Sequence, residues 1–281
     1  MKTLKIANPV VSIDWLAEHL DHPDLIILDA SIKKVTSKEN LQKLDLKIKG
    51  ARFFDLKNSF SDKNTNIPNM LPSPDDFSEE CRKLGISSHH KIIIYDTLGI
   101  YSSPRAWWMF KAMGHQNVAV LNGGLPAWHN AKLPCEPENK TEYNYGNFKA
   151  NYTPSLVTTA NTVLIEIDNE NSLTIDARSH GRFIAKEPEP RKSLKGGHIP
   201  NSVNLPYTMV LDKNKMKTHT ELQEVFKNYN IDNKELIFTC GSGITACIIM
   251  LAAEIAEYHK ISVYDGSWSE WGQLDRVPIQ C

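Results

Sequence analysis

Short apolar runs, each ended by a polar or turn-forming residue, recur along the whole chain. They are rich in β-branched residues, and this pattern is typical of strands buried on both faces of a sheet. The predicted strands are Leu25–Leu28, Ile92–Tyr95, Val118–Leu121, Leu173–Ile175, Leu236–Thr239 and Ile261–Tyr264.

Amphipathic stretches between these runs predict helices. Ser12 and Ser73 are placed to cap two of them, and Pro74 takes the first position of the second helix. Two further helices are predicted over Pro104–Met113 and Thr245–Tyr258. Because strands and helices alternate, the sequence predicts an α/β fold built on a mainly parallel sheet.

The two halves of the sequence repeat each other. The segment VLNGGLPAW at 120–128 aligns without gaps on VYDGSWSEW at 263–271, an offset of 143 residues. At nearly the same offset, the strand that ends before Asp96 falls on the strand that ends before Cys240. A repeat of this length indicates a duplicated domain rather than a solenoid unit.

The length agrees with this duplication, since 281 residues suffice for about two domains. We therefore predict a first domain over 8–132 and a second over 159–281. The residues at 133–158 are polar and include prolines, which suits a linker.

Composition and charge exclude several classes of protein. Hydrophobic residues make up 41% and charged residues 23%, as in an ordinary soluble globular protein. The 32 basic and 33 acidic residues nearly cancel, so nothing attracts the whole chain to nucleic acid or to a membrane. No apolar run is long enough to span a bilayer, and Asn8 and Pro9 interrupt any signal-peptide core. We expect a cytoplasmic protein that binds neither membranes nor nucleic acid.

The five cysteines point to free thiols. Their number is odd, they form no CxxC pair, and no cluster has the spacing of a zinc site. We expect no metal, no cofactor and no disulfide framework. Cys247, two helical turns after Cys240, is expected to be a small packing residue.

The segment CGSGITA at 240–246 is the strongest chemical signal. It follows a predicted strand and precedes a helix that begins near Ile244. Ligands of open α/β sheets bind at this edge, and the helix N-terminus adds positive potential there.

This segment suits a reactive thiolate. Gly241 and Gly243 permit backbone conformations in which successive amide N–H groups point inward at one anion. Ser242 and Thr245 can donate hydroxyl hydrogen bonds to the same place. These features stabilise a thiolate, so Cys240 is the predicted nucleophile.

The motifs around this segment resemble the tandem-rhodanese sulfurtransferases over nearly the whole chain. GHIPNSVNLP at 197–206 and VYDGSWSEW at 263–271 are similar to that family's catalytic domain. YSSPRAWWMFKAMG at 101–114 resembles its non-catalytic N-terminal domain, where Asp96 replaces the nucleophile. The resemblance implies two rhodanese-like domains, each a mainly parallel sheet flanked by helices.

The form CGSGxTA resembles the 3-mercaptopyruvate branch, whereas the thiosulfate branch typically has basic residues just after the cysteine. The resemblance implies that the Cys240 thiolate takes sulfur from 3-mercaptopyruvate, releases pyruvate and holds a persulfide. A thioredoxin-like protein, a small thiol or cyanide then accepts the sulfur. It implies a catalytic role for Cys240 with Ser242, and substrate binding by Gly241, Gly243, Ile244 and Thr245.

Two arginines complete the implied site. Arg182 and Arg191 align with the family's carboxylate-binding arginines. Guanidinium groups suit two-point recognition of a carboxylate, so these residues are expected to bind the substrate.

The sequence departs from the family at two positions. Two residues after Asp55, where an acid usually completes a Cys-Ser-acid relay, stands Lys57, a possible modifier of the thiolate. Before Met-Leu-Pro, where the family often has His, stands Asn69. Asp62 is a candidate substitute for the missing acid.

Three alternatives differ in chemistry. A thiosulfate sulfurtransferase uses the same nucleophile, and a non-catalytic persulfide carrier would explain the missing acid. A cysteine phosphatase also cradles an anion over a thiolate, but its chemistry needs Arg six positions after the cysteine, where this chain has Ala246.

We expect Lys57→Glu to raise the turnover number for pyruvate formation, because a carboxylate can accept a proton that a protonated lysine cannot. The same change should raise the pH at which Cys240 is half-maximally alkylated, since a like charge disfavours a thiolate. Steady-state kinetics and iodoacetamide labelling check both effects. Unchanged turnover together with an unmoved labelling curve would contradict the role of Lys57.

Overall fold

A computed structural model describes residues 4–34, 46–137, 141–229, 231 and 233–281. Residues 138–140 of the predicted linker lie outside the described residues.

The chain divides into two compact units. The first comprises the described residues up to Asp62 together with Pro72–Tyr152, and the second comprises Lys63–Leu71 together with Thr153–Cys281. A short segment from the first half of the sequence therefore belongs to the second unit.

The first unit is built on a parallel five-stranded sheet. Its strands are β1 (Val10–Val11), β2 (Leu25–Asp29), β3 (Leu46–Ile48), β4 (Arg52–Phe53), β5 (Lys91–Tyr95), β6 (Val118–Leu121) and β7 (Cys135–Pro137), and its helices are α1 (Ile13–His19), α2 (Pro74–Lys83), α3 (Ser103–Ala112) and α4 (Gly124–Asn130). The sheet order is β1-β6-β5-β2-β4, with every pair parallel, while β3 and β7 form a separate antiparallel pair.

The second unit repeats this arrangement. Its strands are β8 (Val157–Thr158), β9 (Ser172–Asp176), β10 (Val203–Asn204), β11 (Leu211–Asp212), β12 (Lys215–Met216), β13 (Glu235–Thr239) and β14 (Ile261–Tyr264), its helices are α5 (Ala160–Glu166), α6 (His180–Phe183), α7 (His219–Lys227), α8 (Thr245–Ile255) and α9 (Ser267–Trp271), and two 3₁₀ turns cover Pro154–Leu156 and Tyr207–Val210. The parallel sheet has the order β8-β14-β13-β9-β10, and β11 and β12 form an antiparallel pair. The two sheets match strand for strand, so the predicted α/β fold is confirmed.

The predicted strands and helices form for the expected reasons. β2 and β6 are buried along their whole length, as continuous apolar runs require. Ser12 Oγ accepts the backbone N–H of Trp15 at 3.1 Å, and Ser73 Oγ accepts that of Asp76 at 3.1 Å. These two bonds satisfy amides that have no partner within the helix.

One helix ends earlier than its sequence pattern indicates. α8 stops at Ile255, because Glu257 adopts a left-handed backbone with φ +68°. The N–H of Tyr258 then bonds the carbonyl of Ala253 at 2.9 Å, closing the helix end.

Two tryptophans show how closely the units match. Trp128 and Trp271 are fully buried and lie at the repeat offset. The indole of Trp128 donates to the carbonyl of Pro134 at 2.9 Å, and that of Trp271 donates to the carbonyl of Pro278 at 3.0 Å. Each ring thus fills a core and fixes the chain that follows its helix.

Within the residues that the structure describes, no helix is both long and apolar enough to cross a bilayer. The same residues contain no group of three or more His, Cys, Asp or Glu side chains placed to hold a metal ion.

The loop from β5 to α3 in the first unit surrounds the side-chain carboxylate of Asp96, which is one of its own residues. Asp96 is 1% exposed, and its Oδ2 accepts the backbone N–H groups of Tyr101, Ser102 and Ser103 at 2.8–3.0 Å. The Ser103 hydroxyl donates to the same oxygen at 2.6 Å, and the N–H of Leu98 donates to Oδ1 at 2.9 Å. The loop is therefore an anion cradle occupied by a side chain of the protein.

We expect Asp96→Asn to lower the free energy of unfolding by about 3 kcal/mol, because the amide presents donors to a ring of donors and leaves some unsatisfied. Guanidinium unfolding followed by tryptophan fluorescence measures the change.

The matched control is Asp21→Asn, whose side chain is 81% exposed and pairs with Lys49 at the surface. It should change stability by less than about 0.5 kcal/mol. An Asp96→Asn protein as stable as this control would contradict the cradle's contribution.

Candidate active site

Cys240 lies directly after β13, the middle strand of the second sheet, and α8 begins at Thr245. The cysteine is 2% exposed; Gly243 and Ile244 are buried, while Ser242 is half-buried. Strand end, tight loop and helix start coincide here, as the sequence predicts.

The backbone of Cys240 is held by the loop after β14. Its N–H donates to Ser267 Oγ at 3.2 Å, and that hydroxyl donates to the carbonyl of Tyr264 at 2.9 Å. The carbonyl of Cys240 accepts the N–H of Trp268 at 2.9 Å. Ser267 is fully buried and left-handed, with φ +50°, a conformation that non-glycine residues rarely adopt. Sequence reasoning did not identify Ser267.

The two glycines of the loop are required for different reasons. Gly243 has φ +75°, as the cradle argument predicts. Gly241 lies outside the left-handed region, which corrects the sequence argument for that residue. A Cβ there would lie 2.9 Å from Nη2 at the end of the Arg182 side chain, so Arg182 would have to shift from its bond to Glu189.

The Asp96 cradle identifies the corresponding groups of the second unit. Asp96 and Cys240 each follow the middle strand of their sheet, 144 residues apart. At that offset the four amides around Asp96 correspond to those of Ser242, Thr245, Ala246 and Cys247. The second cradle has a thiol where the first has a carboxylate.

A buried carboxylate fixes Arg182 over this loop. Glu189, with a side chain 2% exposed, accepts Arg182 Nε at 3.1 Å and Nη2 at 2.6 Å. It also accepts Arg178 Nη1 at 2.9 Å. Arg182 thus lies against Gly241 with part of its guanidinium already bound.

Arg178 connects this network to Asp176 at the end of β9. It is fully buried, pairs with Asp176 at 2.6 Å and stacks on Trp268 at 4.2 Å. Burial would lower the pKa of Arg178, but the carboxylates of Asp176 and Glu189 raise it above its usual value. Sequence reasoning missed Arg178 and Glu189; the available signal was an Asp-Ala-Arg sequence at the end of a predicted strand.

Arg191 reaches the same loop through a serine. Its Nη1 donates to Ser269 Oγ at 2.7 Å, and that hydroxyl donates to the carbonyl of Gly241 at 2.5 Å. Burial lowers the pKa of Arg191, and the positive charge of Arg182 lowers it further, against the opposing effect of Glu189. The structure therefore brings the two predicted arginines together beside the cysteine loop.

Asn69 also contacts the loop, although the sequence marked it only as a departure from a family pattern. Its Nδ2 lies 3.1 Å from both the carbonyl oxygen and the hydroxyl of Ser242. A further hydrogen bond holds the segment 63–71: the N–H of Leu71 donates to Asp265 Oδ2 at 2.7 Å.

Two other residues singled out in the sequence lie as follows. Cys247 is fully buried and its Sγ contacts the carbonyl of Gly243 at 3.2 Å, so it packs as predicted. Lys57 is exposed on the first unit, where its backbone N–H donates to Asp55 Oδ1 at 3.2 Å. Its effect on chemistry stays a prediction.

Comparisons with known proteins bear on the fold and on the family. Residues 12–131 and 159–274 each match the rhodanese-like domain. The 3-mercaptopyruvate sulfurtransferase of Escherichia coli (strain K12) is 36% identical over 274 residues, covering 96% of this chain and 97% of that protein. The thiosulfate sulfurtransferase of Bos taurus is 37% identical over 272 residues, covering 93% and 91%.

A solved structure agrees over the same length. The crystal structure of SseA from Escherichia coli, described as a 3-mercaptopyruvate sulfotransferase with the rhodanese fold, matches with a TM-score of 0.83 and 36% identity. The match covers 94% of this chain and 100% of SseA. The predicted resemblance is confirmed, and the chain belongs to the rhodanese family, with two rhodanese-like domains in tandem.

Proposed function

We propose that this protein is a 3-mercaptopyruvate sulfurtransferase that carries sulfur as a persulfide on Cys240. One observation supports the nucleophile above all others. The equivalent loop of the first unit binds a full carboxylate through four amides and a hydroxyl, so a loop of this construction stabilises an anion at the position of Cys240.

The first half-reaction balances without a cofactor. The Cys240 thiolate attacks the sulfur of 3-mercaptopyruvate, forming an S–S bond while the C–S bond breaks. The electron pair of that bond stays on carbon as the enolate of pyruvate. The hydrogen of the substrate thiol supplies the new C–H bond, leaving pyruvate and an anionic persulfide. Backbone amides that point at the sulfur would stabilise both the thiolate and the persulfide anion.

The arginines favour a donor with a carboxylate. Arg182 and Arg191 raise the local positive charge, and their mutual repulsion is relieved when an anion binds between or beside them. The loop itself supplies no cation, because residues 241–243 are Gly, Ser and Gly. A side chain at position 241 would displace the end of the Arg182 side chain, which Glu189 holds beside the loop.

The second half-reaction passes the outer sulfur to an acceptor. A thiolate of a small thiol or a thioredoxin-like protein, or cyanide, attacks that sulfur and restores the Cys240 thiolate. Ser242 lies in the loop as a hydroxyl donor for these steps. We place the reaction in the cytoplasm.

Thiosulfate is the alternative donor, and the similarity to the Bos taurus thiosulfate sulfurtransferase supports testing it. A non-catalytic persulfide carrier is the other alternative. Release of pyruvate from 3-mercaptopyruvate in the presence of dithiothreitol distinguishes a catalyst from a carrier, and thiocyanate formation from thiosulfate and cyanide measures the second donor.

Cys240→Ser should abolish pyruvate release, because an alcohol is far less nucleophilic than the thiolate it replaces. Cys247→Ser is the control and should retain most activity, since the Cys247 side chain is fully buried against the carbonyl of Gly243. Mass spectrometry of substrate-treated protein should find one added sulfur on the peptide that contains Cys240. Sulfur on Cys247 alone would contradict the assignment.

Arg191→Ala should lower kcat/KM for 3-mercaptopyruvate by about 10- to 150-fold, which corresponds to one charge-assisted contact with the carboxylate. Arg182→Ala should have an effect in the same direction, with Glu189 still paired to Arg178. The control is Arg276→Ala, an exposed arginine of the same unit. If both site variants behave like Arg276→Ala, the arginines do not bind the substrate.

A further inference from the structure

The segment 63–71 supplies the second unit with a side chain that contacts Ser242. Asn69 lies in it with φ +62°, a left-handed conformation that asparagine tolerates better than most residues. This backbone directs the side chain to both the carbonyl and the hydroxyl of Ser242, each at 3.1 Å from Nδ2.

The chemistry of Ser242 fixes the orientation of the Asn69 amide. A backbone carbonyl only accepts hydrogen bonds, so the atom that faces it has to be the amide nitrogen rather than Oδ1. That nitrogen has two hydrogens, one for the carbonyl and one for the hydroxyl oxygen of Ser242.

The direction of the second bond determines what Ser242 can do. Because Ser242 Oγ accepts a hydrogen from Asn69, its own hydrogen points to a different partner. In a loop that holds anionic sulfur, a hydroxyl aimed away from Asn69 serves as a donor. A carboxylate in place of Asn69 would instead accept that hydrogen and repel the Ser242 carbonyl.

We propose that Asn69 is a positioning residue that makes the Ser242 hydroxyl a hydrogen-bond donor during sulfur transfer. The inference rests on the proposed function and adds a residue to it. Asn69 acts through Ser242 and forms no bond to the substrate in this scheme.

The test compares Asn69→Ala, Asn69→Asp and the control Asn201→Ala. Asn201 is also left-handed, with φ +58°, and its Nδ2 also donates to a carbonyl, that of Ile167 at 3.1 Å. The control therefore reproduces the loss of a left-handed asparagine and of its amide bond, away from Cys240.

We expect Asn69→Ala to lower kcat for pyruvate formation about 3- to 10-fold, as for the loss of one hydrogen bond, with KM within about twofold. Asn69→Asp should lower kcat further, although aspartate also tolerates a left-handed backbone. Because aspartate would also repel the Ser242 carbonyl, the free energy of unfolding of each variant is measured beside kcat; a purely structural role predicts losses of kcat that follow the losses of stability. Asn201→Ala should leave kcat unchanged.

A double-mutant cycle with Ser242→Ala separates action through Ser242 from any other effect. Once the hydroxyl is gone, Asn69→Ala should cause no further loss of kcat. An equal loss with and without the hydroxyl, or wild-type kcat in Asn69→Asp, would refute the inference. Wild-type protein that forms no persulfide on Cys240 would refute the proposed function instead, so the two failures are distinguishable.

Discussion

In both halves of this protein, the backbone N–H groups of one tight loop need hydrogen-bond acceptors. After the middle strand of each sheet, the chain turns directly into a helix whose first N–H groups have no partner within that helix. In the first unit the carboxylate of Asp96 accepts four N–H groups, three from the loop and that of Ser103 at the start of α3, and it also accepts the Ser103 hydroxyl. In the second unit the same place holds Cys240. In the function proposed above, its sulfur anion would accept the corresponding hydrogen bonds. On that proposal, one geometric requirement stabilises the first copy and activates the thiol of the second.

The charge on the arginines imposes a second constraint. Guanidinium groups near a buried loop require a fixed counter-charge, since an unpaired buried charge costs several kcal/mol. Glu189 meets this need by bonding Arg178 and Arg182 together, and Asp176 neutralises the deeper arginine. Arg191 bonds a neutral serine instead. Arg182 is thus already paired to a carboxylate and Arg191 is not, so on the proposal that both bind the substrate the larger contribution is expected from Arg191.

Features with a local cause could be predicted from the sequence, and features with a distant cause could not. The strand before Cys240, its glycine loop and the capping by Ser12 depend on neighbouring residues, so periodicity and residue type were sufficient. Two-residue strands such as β4 and β8 give no periodic signal and were missed. Glu189 lies between two prolines and resembles an exposed loop residue until the fold buries it.

Gly241 illustrates how a correct residue can be chosen for an incomplete reason. The sequence argument relied on the conformational freedom of glycine, whereas in the structure Gly241 lies outside the left-handed region and the end of the Arg182 side chain lies 2.9 Å from where its Cβ would be. Only tertiary contacts reveal that difference. It also changes the interpretation of the residue, since the guanidinium beside this glycine comes from a separate helix, α6.

Asn69 shows that the boundary between the two sequence repeats differs from the boundary between the two compact units. The segment that carries it continues at both ends into the first unit, after Asp62 and before Pro72, yet its side chain contacts Ser242 in the second unit. Residues 153–281 produced alone would lack Asn69, and with it the amide that faces the carbonyl and the hydroxyl of Ser242. The second compact unit therefore needs a segment that the sequence places within the first repeat.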